Sequence, residues 1–372
     1  MLKIGIIGCG KIADQHAEQI QRIAGCEIVG VCDREELMAR QMHERFPVRR
    51  WFDDVEKLLE VGRPDIVHIT TPPQSHFALG KLCLEAGCHV YIEKPFTLVS
   101  AEAESLINLS NEKKLKLTVG HNAQFSHAAI RMRDLIGHGF LGGPPVHMES
   151  YYCYNLADQN YAKALLGDKQ HWVRKLPGQL LHNIISHGIS RIAEFWPQGT
   201  HDVVAHGFTS PLLRRIGETE MVDELRAIIS DRRRTTAYFT FSSQLNPPLR
   251  QFRIYGPENG LIVDETHQTL IRISGRQYKS YLNQFLPAYD FGRQYFGNLV
   301  GNMGKFMRSQ FHNDSGMKYL IAEFYRSIRE NSNVPISYRE ILLTARLMDD
   351  IFDQLRSHKN CENENVDGSE IV

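Results

Sequence analysis

Gly8-Cys9-Gly10-Lys11-Ile12-Ala13 sits between a short apolar run, 3–7, and a helical pattern that continues to about residue 23. This G-x-G-x-x-G/A spacing restricts the fold more than any other feature of the chain. The first glycine permits a tight turn and the second a close backbone approach to a ligand. The small Ala13 lets the helix pack closely on the strand. A helix that starts here aims free N–H groups and the positive end of its dipole beyond the turn, which suits a phosphate. The motif alone is weak. It gains force because the next apolar run, 27–32, ends in an acid, Asp33, at the distance such a site requires. Together they predict a bound dinucleotide, with the pyrophosphate on Gly8, Gly10, Lys11 and Ile12 and the adenosine ribose hydroxyls on Asp33. Asp33 repels a 2′-phosphate and so favours NAD over NADP. The adjacent Arg34 keeps NADP open, because arginine can accommodate a 2′-phosphate.

The first 120 residues alternate short apolar runs with helical patterns. Runs at 3–7, 27–32, 65–69, 89–92 and 115–119 read as strands. Helical patterns lie between them; one over 74–86 ends at Gly87, and another is capped by Ser100. This predicts an N-terminal Rossmann domain, a doubly wound parallel sheet with helices on both faces. After Gly120 the rhythm changes. Runs at 203–209, 223–230, 235–242, 251–255, 261–264 and 270–274 follow one another without helices between them. They predict a C-terminal α+β domain built on a large open mixed or antiparallel sheet. Helical periodicity returns at 317–331 and 338–356. The expected organisation is a dinucleotide domain over 1–120, a substrate and oligomerisation domain over 121–335, a last helix over 336–358, and a disordered polar tail over 359–372.

Composition narrows the function. The chain has 372 residues, 42% hydrophobic and 23% charged, which fits a soluble globular protein of two domains. Acidic and basic residues number 43 each, and zero net charge argues against nucleic acid or an anionic membrane as partner. Arg232-Arg233-Arg234 is the densest basic run and reads as a solvated hairpin turn between two strands. The seven cysteines contain no C-x-x-C pair, as expected of reduced thiols in the cytoplasm. No signal peptide or membrane span is read. The histidines show no zinc spacing, so no metal is assigned. The stretch 289–311 carries Tyr295, Phe296, Leu299, Val300, Met303, Phe306 and Met307 at helical spacing. Such a stripe packs on its own domain or on a partner subunit; a membrane surface is the alternative.

Tyr91-Ile92-Glu93-Lys94-Pro95 is an extended run ending in a charged pair and a proline, a strand feeding a loop. Beside a bound dinucleotide, Lys94 can hydrogen-bond a substrate hydroxyl and stabilise the alkoxide formed as hydride leaves. A surface salt bridge with Glu93 is the plainer alternative.

The order Gly8-Cys9-Gly10-Lys11-Ile12-Ala13-Asp14-Gln15-His16, Asp33, Thr71-Pro72-Pro73-Gln74-Ser75-His76 and Glu93-Lys94-Pro95 resembles the Gfo/Idh/MocA oxidoreductase family. Phe252 to Gly260 and Pro335-Ile336-Ser337 resemble it more loosely. The resemblance implies hydride transfer between a nicotinamide cofactor and a sugar, nucleotide sugar or cyclic polyol. It implies a cofactor bordered by Thr71, Pro72, His76, Glu93 and Lys94, a homodimer or homotetramer formed through the C-terminal sheet, and a last helix packed back on the first domain. Lys94 matches the family's active-site lysine. The family's G-x-L-x-D-x-G-x-H motif corresponds to the stretch from Gly178 to His187, with Asn183 in the aspartate position and Ile185 in place of the glycine. Asn183 and His187, four apart on a helix, would share one face at the substrate. His187 is the expected base and Lys94 the oxygen-holding group; Lys94 as the proton carrier is the alternative. His121, Asn122 and Trp172 are further substrate-binding candidates, although the aromatic residues of 151–172 could equally be packing. A non-catalytic dinucleotide-binding regulator is the rival function, and a polysaccharide-pathway enzyme docked through 289–311 is a third.

Overall fold

The computed structural model describes residues 1–156, 170–215, 217–279, 281–311 and 315–367. They form two compact units. One comprises Met1–Phe125 with Gly316–Arg346, the other Ser126–Ser315 with Leu347–Val372.

The first unit is built on six strands: β1 (Leu2–Ile7), β2 (Cys26–Cys32), β3 (Trp51–Phe52), β4 (Ile66–Ile69), β5 (His89–Ile92) and β6 (Leu117–Val119). Their order is β3-β2-β1-β4-β5-β6, and every pairing is parallel. This is the doubly wound arrangement, with its switch point between β1 and β4. The strands read as continuous apolar runs because both sheet faces are covered: Ile4, Ile6, Ile66, Val67, Val90 and Ile92 are all buried. The helix Lys11–Gln21 covers the sheet with Ala13, Ala17 and Ile20.

The helix Ser315–Arg329 joins the same core through Met317, Leu320, Ile321 and Phe324. The unit therefore reclaims chain that the expected boundary at 335 assigned to the second domain. Periodicity identifies an apolar helix face, but it does not say which sheet that face will meet. The last helix, Tyr338–Asp367, belongs to the first unit as far as Arg346 and to the second from Leu347. Its backbone also runs through 359–367, expected to be disordered from their polarity. A packed helix extends into polar sequence at little further cost, because nucleation is already complete. The end of that tail, 368–372, lies outside the described residues.

The second unit carries seven strands: β7 (His147–Asn155), β8 (Asp202–Phe208), β9 (Glu224–Ser230), β10 (Thr236–Ser242), β11 (Gln244–Tyr255), β12 (Asn259–Asp264) and β13 (Thr269–Ser274). Their order is β13-β12-β11-β7-β10-β9-β8, with β7 parallel to β10 and the other pairs antiparallel. Side chains alternate between the two faces along the middle of β9 and β10. Leu225, Ala227, Ile229, Ala237, Phe239 and Phe241 are buried on one face. On the other, Val204, Ile228 and Tyr238 form a cross-strand row of exposed apolar side chains. The run Arg232-Arg233-Arg234 lies in the β9–β10 turn, where Asp231 Oδ1 accepts the N–H groups of Arg233, Arg234 and Thr235.

The apolar stripe lies on a long helix, Leu282–Met307. That helix meets its own sheet through a polar face, and its apolar side chains, Phe285, Phe296 and Phe306 among them, are exposed. Among the described residues no helix is long and apolar enough to cross a membrane.

Candidate active site

The glycine loop lies at the carboxyl end of β1, beside the switch point. Gly8 adopts φ +93°, and a Cβ there would stand 2.8 Å from the Thr71 nitrogen, so both its backbone and its neighbour require glycine. Thr70 Oγ1 donates to the Gly8 carbonyl at 2.6 Å and ties the loop to β4. Gly10 begins the helix Lys11–Gln21 without a side-chain cap, and a Cβ on it would meet nothing within 4 Å. An uncapped helix start facing open space suits a pyrophosphate. Lys11 is exposed and Ile12 half-buried beside it. Asp33 follows β2; its Oδ2 accepts the Cys9 N–H at 2.7 Å and its Oδ1 the Glu35 N–H at 3.0 Å. Each carboxylate oxygen retains a further acceptor position, which is what a pair of ribose hydroxyls needs. Arg34 is exposed next to it. These residues fit a dinucleotide.

The other sheet ends complete this edge. Thr71 Oγ1 pairs with Ser75 Oγ at 2.7 Å, and Pro72 leads into a short 3-10 turn. His76 is buried with its ring nitrogens 2.9 Å from the carbonyls of Thr71 and Pro95, so it clamps the β4 exit to the β5 exit. Burial lowers its pKa against the pull of those carbonyls. Glu93 follows β5 and turns inward. Its Oε1 lies 2.9 Å from His16 Nε2, and its Oε2 accepts the Lys94 N–H at 3.1 Å. Gly120 is small for this reason, since a Cβ there would stand 2.6 Å from Glu93 Oε1. Burial alone would raise the Glu93 pKa, but the His16 hydrogen bond and the Lys94 charge and backbone N–H reverse it, and the net direction is down. Lys94 is half-buried, and burial lowers its amine pKa while Glu93 opposes the shift. After β6, Asn122 Oδ1 accepts the Tyr91 hydroxyl at 3.2 Å. His121 is 2% exposed, and neither ring nitrogen has a hydrogen-bond partner among the described residues. Gly8, Gly10, Lys11, Ile12, Asp33, Thr71, Pro72, His76, Glu93, Lys94, His121 and Asn122 are thus gathered at one edge of one sheet, as the carboxyl ends of parallel strands require.

In the second unit the single helix expected through Asn183 and His187 is instead two, Gln179–Ile184 and Ser186–Phe195, meeting at Ile185. Packing explains the break. Gly178 starts the first helix against the Phe352 ring, where a Cβ would lie only 2.3 Å from Phe352 Cε1. Gly188 sits equally close to Phe239, and Ser150 Oγ donates to its carbonyl at 2.9 Å. Each helix is seated by its own contact, and Ile185 between them, at φ −70° and ψ −17°, is a one-residue turn. His187 stacks on Tyr152, centroids 5.4 Å apart, and Arg250 lies 5.0 Å from the Tyr152 ring. Asn183 is half-buried. Trp172 stacks on His171 at 5.5 Å in a 3-10 turn, and His182 stacks on Phe352. Tyr151 to Tyr154 lie within β7, where aromatic side chains suit a pleated surface. Residues 157–169 of the same aromatic stretch lie outside the described residues.

Sequence reasoning missed the group behind Glu93: His16, His68 and Tyr325, all fully buried. A histidine inside the apolar run 65–69 was the available signal, because a buried polar residue in a central strand needs a partner.

Residues 2–121 match the model of an oxidoreductase family with an NAD-binding Rossmann fold, GFO_IDH_MocA. The UDP-N-acetylglucosamine 3-dehydrogenase of Acidithiobacillus ferrooxidans is 35% identical over 138 residues, 37% of this chain and 42% of that protein. The myo-inositol 2-dehydrogenase of Thermotoga maritima is 28% identical over 145 residues, 39% of this chain and 43% of that one. The match thus spans less than half the length of either relative. A crystal structure of the Acidithiobacillus ferrooxidans enzyme superposes with a TM-score of 0.71, covering 95% of this chain and 99% of that one. Identity over that superposition is 22%, so it establishes a shared fold.

Proposed function

We propose that this chain, whose residues 2–121 match the GFO_IDH_MocA oxidoreductase model, transfers hydride between NAD and a secondary alcohol or ketone of a sugar, nucleotide sugar or cyclic polyol. The observation that carries this reading is the convergence of the glycine loop, Asp33 and Lys94 on one edge of the parallel sheet. NAD, when bound, supplies the hydride acceptor at C4 of its nicotinamide. The helix start at Gly10 and the loop around it hold the pyrophosphate, and Asp33 holds the adenosine ribose. Lys94 holds the substrate oxygen and stabilises its negative charge as the C–H bond breaks. The burial that lowers its pKa also strengthens the electrostatic interaction, and Glu93 opposes the loss of its charge. His187 takes the hydroxyl proton in the oxidation direction, and Asn183 contacts the substrate through its amide; this assignment rests on the family motif. His121, Asn122 and Trp172 are the further substrate contacts we propose.

NAD is the proposed cofactor rather than NADP, on the strength of the Asp33 carboxylate. We place the enzyme in the cytoplasm, in line with the free thiols of Cys9, Cys26, Cys32, Cys83, Cys88 and Cys153, and assign it a homo-oligomer formed through the open face of the second sheet.

Screening sugars, inositols and nucleotide sugars for NADH production by the purified chain tests the activity. Lys94→Ala should leave NAD affinity nearly unchanged and lower kcat by about 100- to 1000-fold. A variant turning over at the wild-type rate would remove Lys94 from the chemistry. Fluorescence titration should show tighter binding of NAD than of NADP, and the reverse order would transfer control of cofactor choice to Arg34.

A further inference from the structure

A line of buried polar groups runs away from Glu93 into the core of the first unit. His16 Nε2 lies 2.9 Å from Glu93 Oε1, His16 Nδ1 lies 2.8 Å from His68 Nδ1, and His68 Nε2 lies 2.7 Å from the Tyr325 hydroxyl. The four residues come from different elements. His16 is on the helix Lys11–Gln21, His68 on β4, Glu93 at the end of β5 and Tyr325 on the helix Ser315–Arg329. His16, His68 and Tyr325 are 0% exposed and Glu93 5%. Tyr91 stacks flat on His68, centroids 4.7 Å apart, and holds the ring plane.

With both imidazoles neutral, one proton order satisfies every contact. An ionised carboxylate only accepts, so His16 Nε2–H donates to Glu93. A neutral His16 then has a bare Nδ1, which accepts from His68 Nδ1–H. His68 is left with a bare Nε2, which accepts from the Tyr325 hydroxyl. The order is fixed from the Glu93 end, since an ionised carboxylate only accepts; the Tyr325 hydroxyl, able to donate or accept, then donates. Burial holds His68 neutral and the Tyr325 hydroxyl protonated, as this order requires.

We propose that Tyr325, His68 and His16 are positioning residues that fix the charge and orientation of Glu93 and, through it, the ammonium charge of Lys94. The link to Lys94 is direct, because Glu93 Oε2 accepts the Lys94 backbone N–H at 3.1 Å and the two charges are neighbours. Breaking the line at Tyr325 leaves His68 Nε2 without a donor in a buried site. His68 and His16 must then exchange tautomers or keep an unpaired nitrogen. The first outcome turns a bare nitrogen toward the Glu93 carboxylate and weakens its ionised form. The assignment rests on the reading of Lys94 as an active-site group, but its test needs no turnover.

The test uses the full chain labelled with 15N-histidine and 13C-lysine. In the wild type, His68 should appear as the neutral Nδ1–H tautomer, and His16 should carry the proton that faces Glu93 on Nε2. Tyr325→Phe removes one oxygen and keeps the ring. In it the His68 tautomer should become mixed, and the Lys94 ammonium, assigned through Lys94→Arg, should titrate about half a unit lower. His68→Phe should give the same Lys94 shift, and the double variant no more than either alone, because one line carries the effect. Different wild-type tautomers, or a doubly protonated His16, would overturn the proton order. An unmoved Lys94 titration in both variants, with only the melting temperature lowered, would reduce the line to packing. If no alcohol is oxidised by the wild type while these shifts appear, the dehydrogenase reading fails and the relay stands.

Discussion

Burial holds the His121 imidazole neutral by pushing its pKa down to about 3, with Glu93 opposing that shift and the Lys94 charge adding to it. An unfolded histidine titrates near pH 6.5. Between these values the unfolded chain binds the extra proton, so stability rises with pH and is lost as pH falls. His121→Phe should flatten that dependence. The wild type should lose up to about 1.4 kcal/mol per pH unit more than the variant between pH 6 and pH 4, read from paired urea melts. Parallel curves would show that His121 does not carry the linkage. Position 183 gives a second test at this scale. On the family-motif reading Asn183 and His187 meet at the substrate, so Asn183→Asp adds a carboxylate beside that imidazole, and a neighbouring negative charge raises a histidine pKa. The base must begin neutral, so the acidic limb of the kcat profile for alcohol oxidation should move to higher pH. His187→Ala should abolish that limb. A limb unchanged in both would assign the proton to Lys94 or water.

The helix Leu282–Met307 shows how an element can protect a sheet edge without being a strand. Asn298 accepts the Leu270 N–H at 3.2 Å and donates to the Leu270 carbonyl at 2.9 Å. Gln294 does the same for Arg272, at 2.7 and 3.0 Å, and Asn302 donates to the His267 carbonyl at 3.1 Å. The spacing explains the fit. Four helical residues rise about 6 Å, and two strand residues about 6.7 Å, so amides at i and i+4 match the outward groups of alternate strand residues. The side chains stand in for the missing neighbour of β13 and quench an edge open to aggregation. Asn298→Leu should strand both Leu270 groups and cost about 1–3 kcal/mol. Hydrogen exchange at the Leu270 amide should accelerate while exchange in β7 is unchanged. Equal protection in the variant would show that the helix backbone, not the amide, shields the edge.

At the scale of the whole molecule, the row Val204, Ile228 and Tyr238 is apolar surface that a lone subunit leaves in water, at 64, 48 and 47% exposure. Light scattering of the purified chain should return a multiple of 42.6 kDa. Ile228→Glu with Tyr238→Glu should reduce it to that mass, since charges placed opposite one another in a buried row remain unpaired. A wild-type monomer would leave the open face without that role.

Local rules were enough for much of this protein. Strand and helix alternation, the glycine loop, Asp33 and the Glu93-Lys94-Pro95 exit were legible because each is a pattern within a few residues, set by backbone sterics and burial on both faces of a parallel sheet. The glycine at 8 could be assigned to a turn from spacing alone, and its φ of +93° is the physical counterpart. Other features depended on what lies across the fold. The inward turn of Glu93 comes from His16, 77 residues away in sequence, and the ring of His68 is completed by Tyr325, 257 residues away. The helix break at Ile185 lies between two separate seats, Phe352 and Phe239, that no helical periodicity encodes. The helix Ser315–Arg329 joined the first unit because its apolar face fits that core, and the stripe on Leu282–Met307 faces outward because its amides match a strand edge. Periodicity shows that a face is apolar or polar; the choice of partner is made by tertiary packing, where shape and hydrogen-bond geometry are compared among all the surfaces the chain offers.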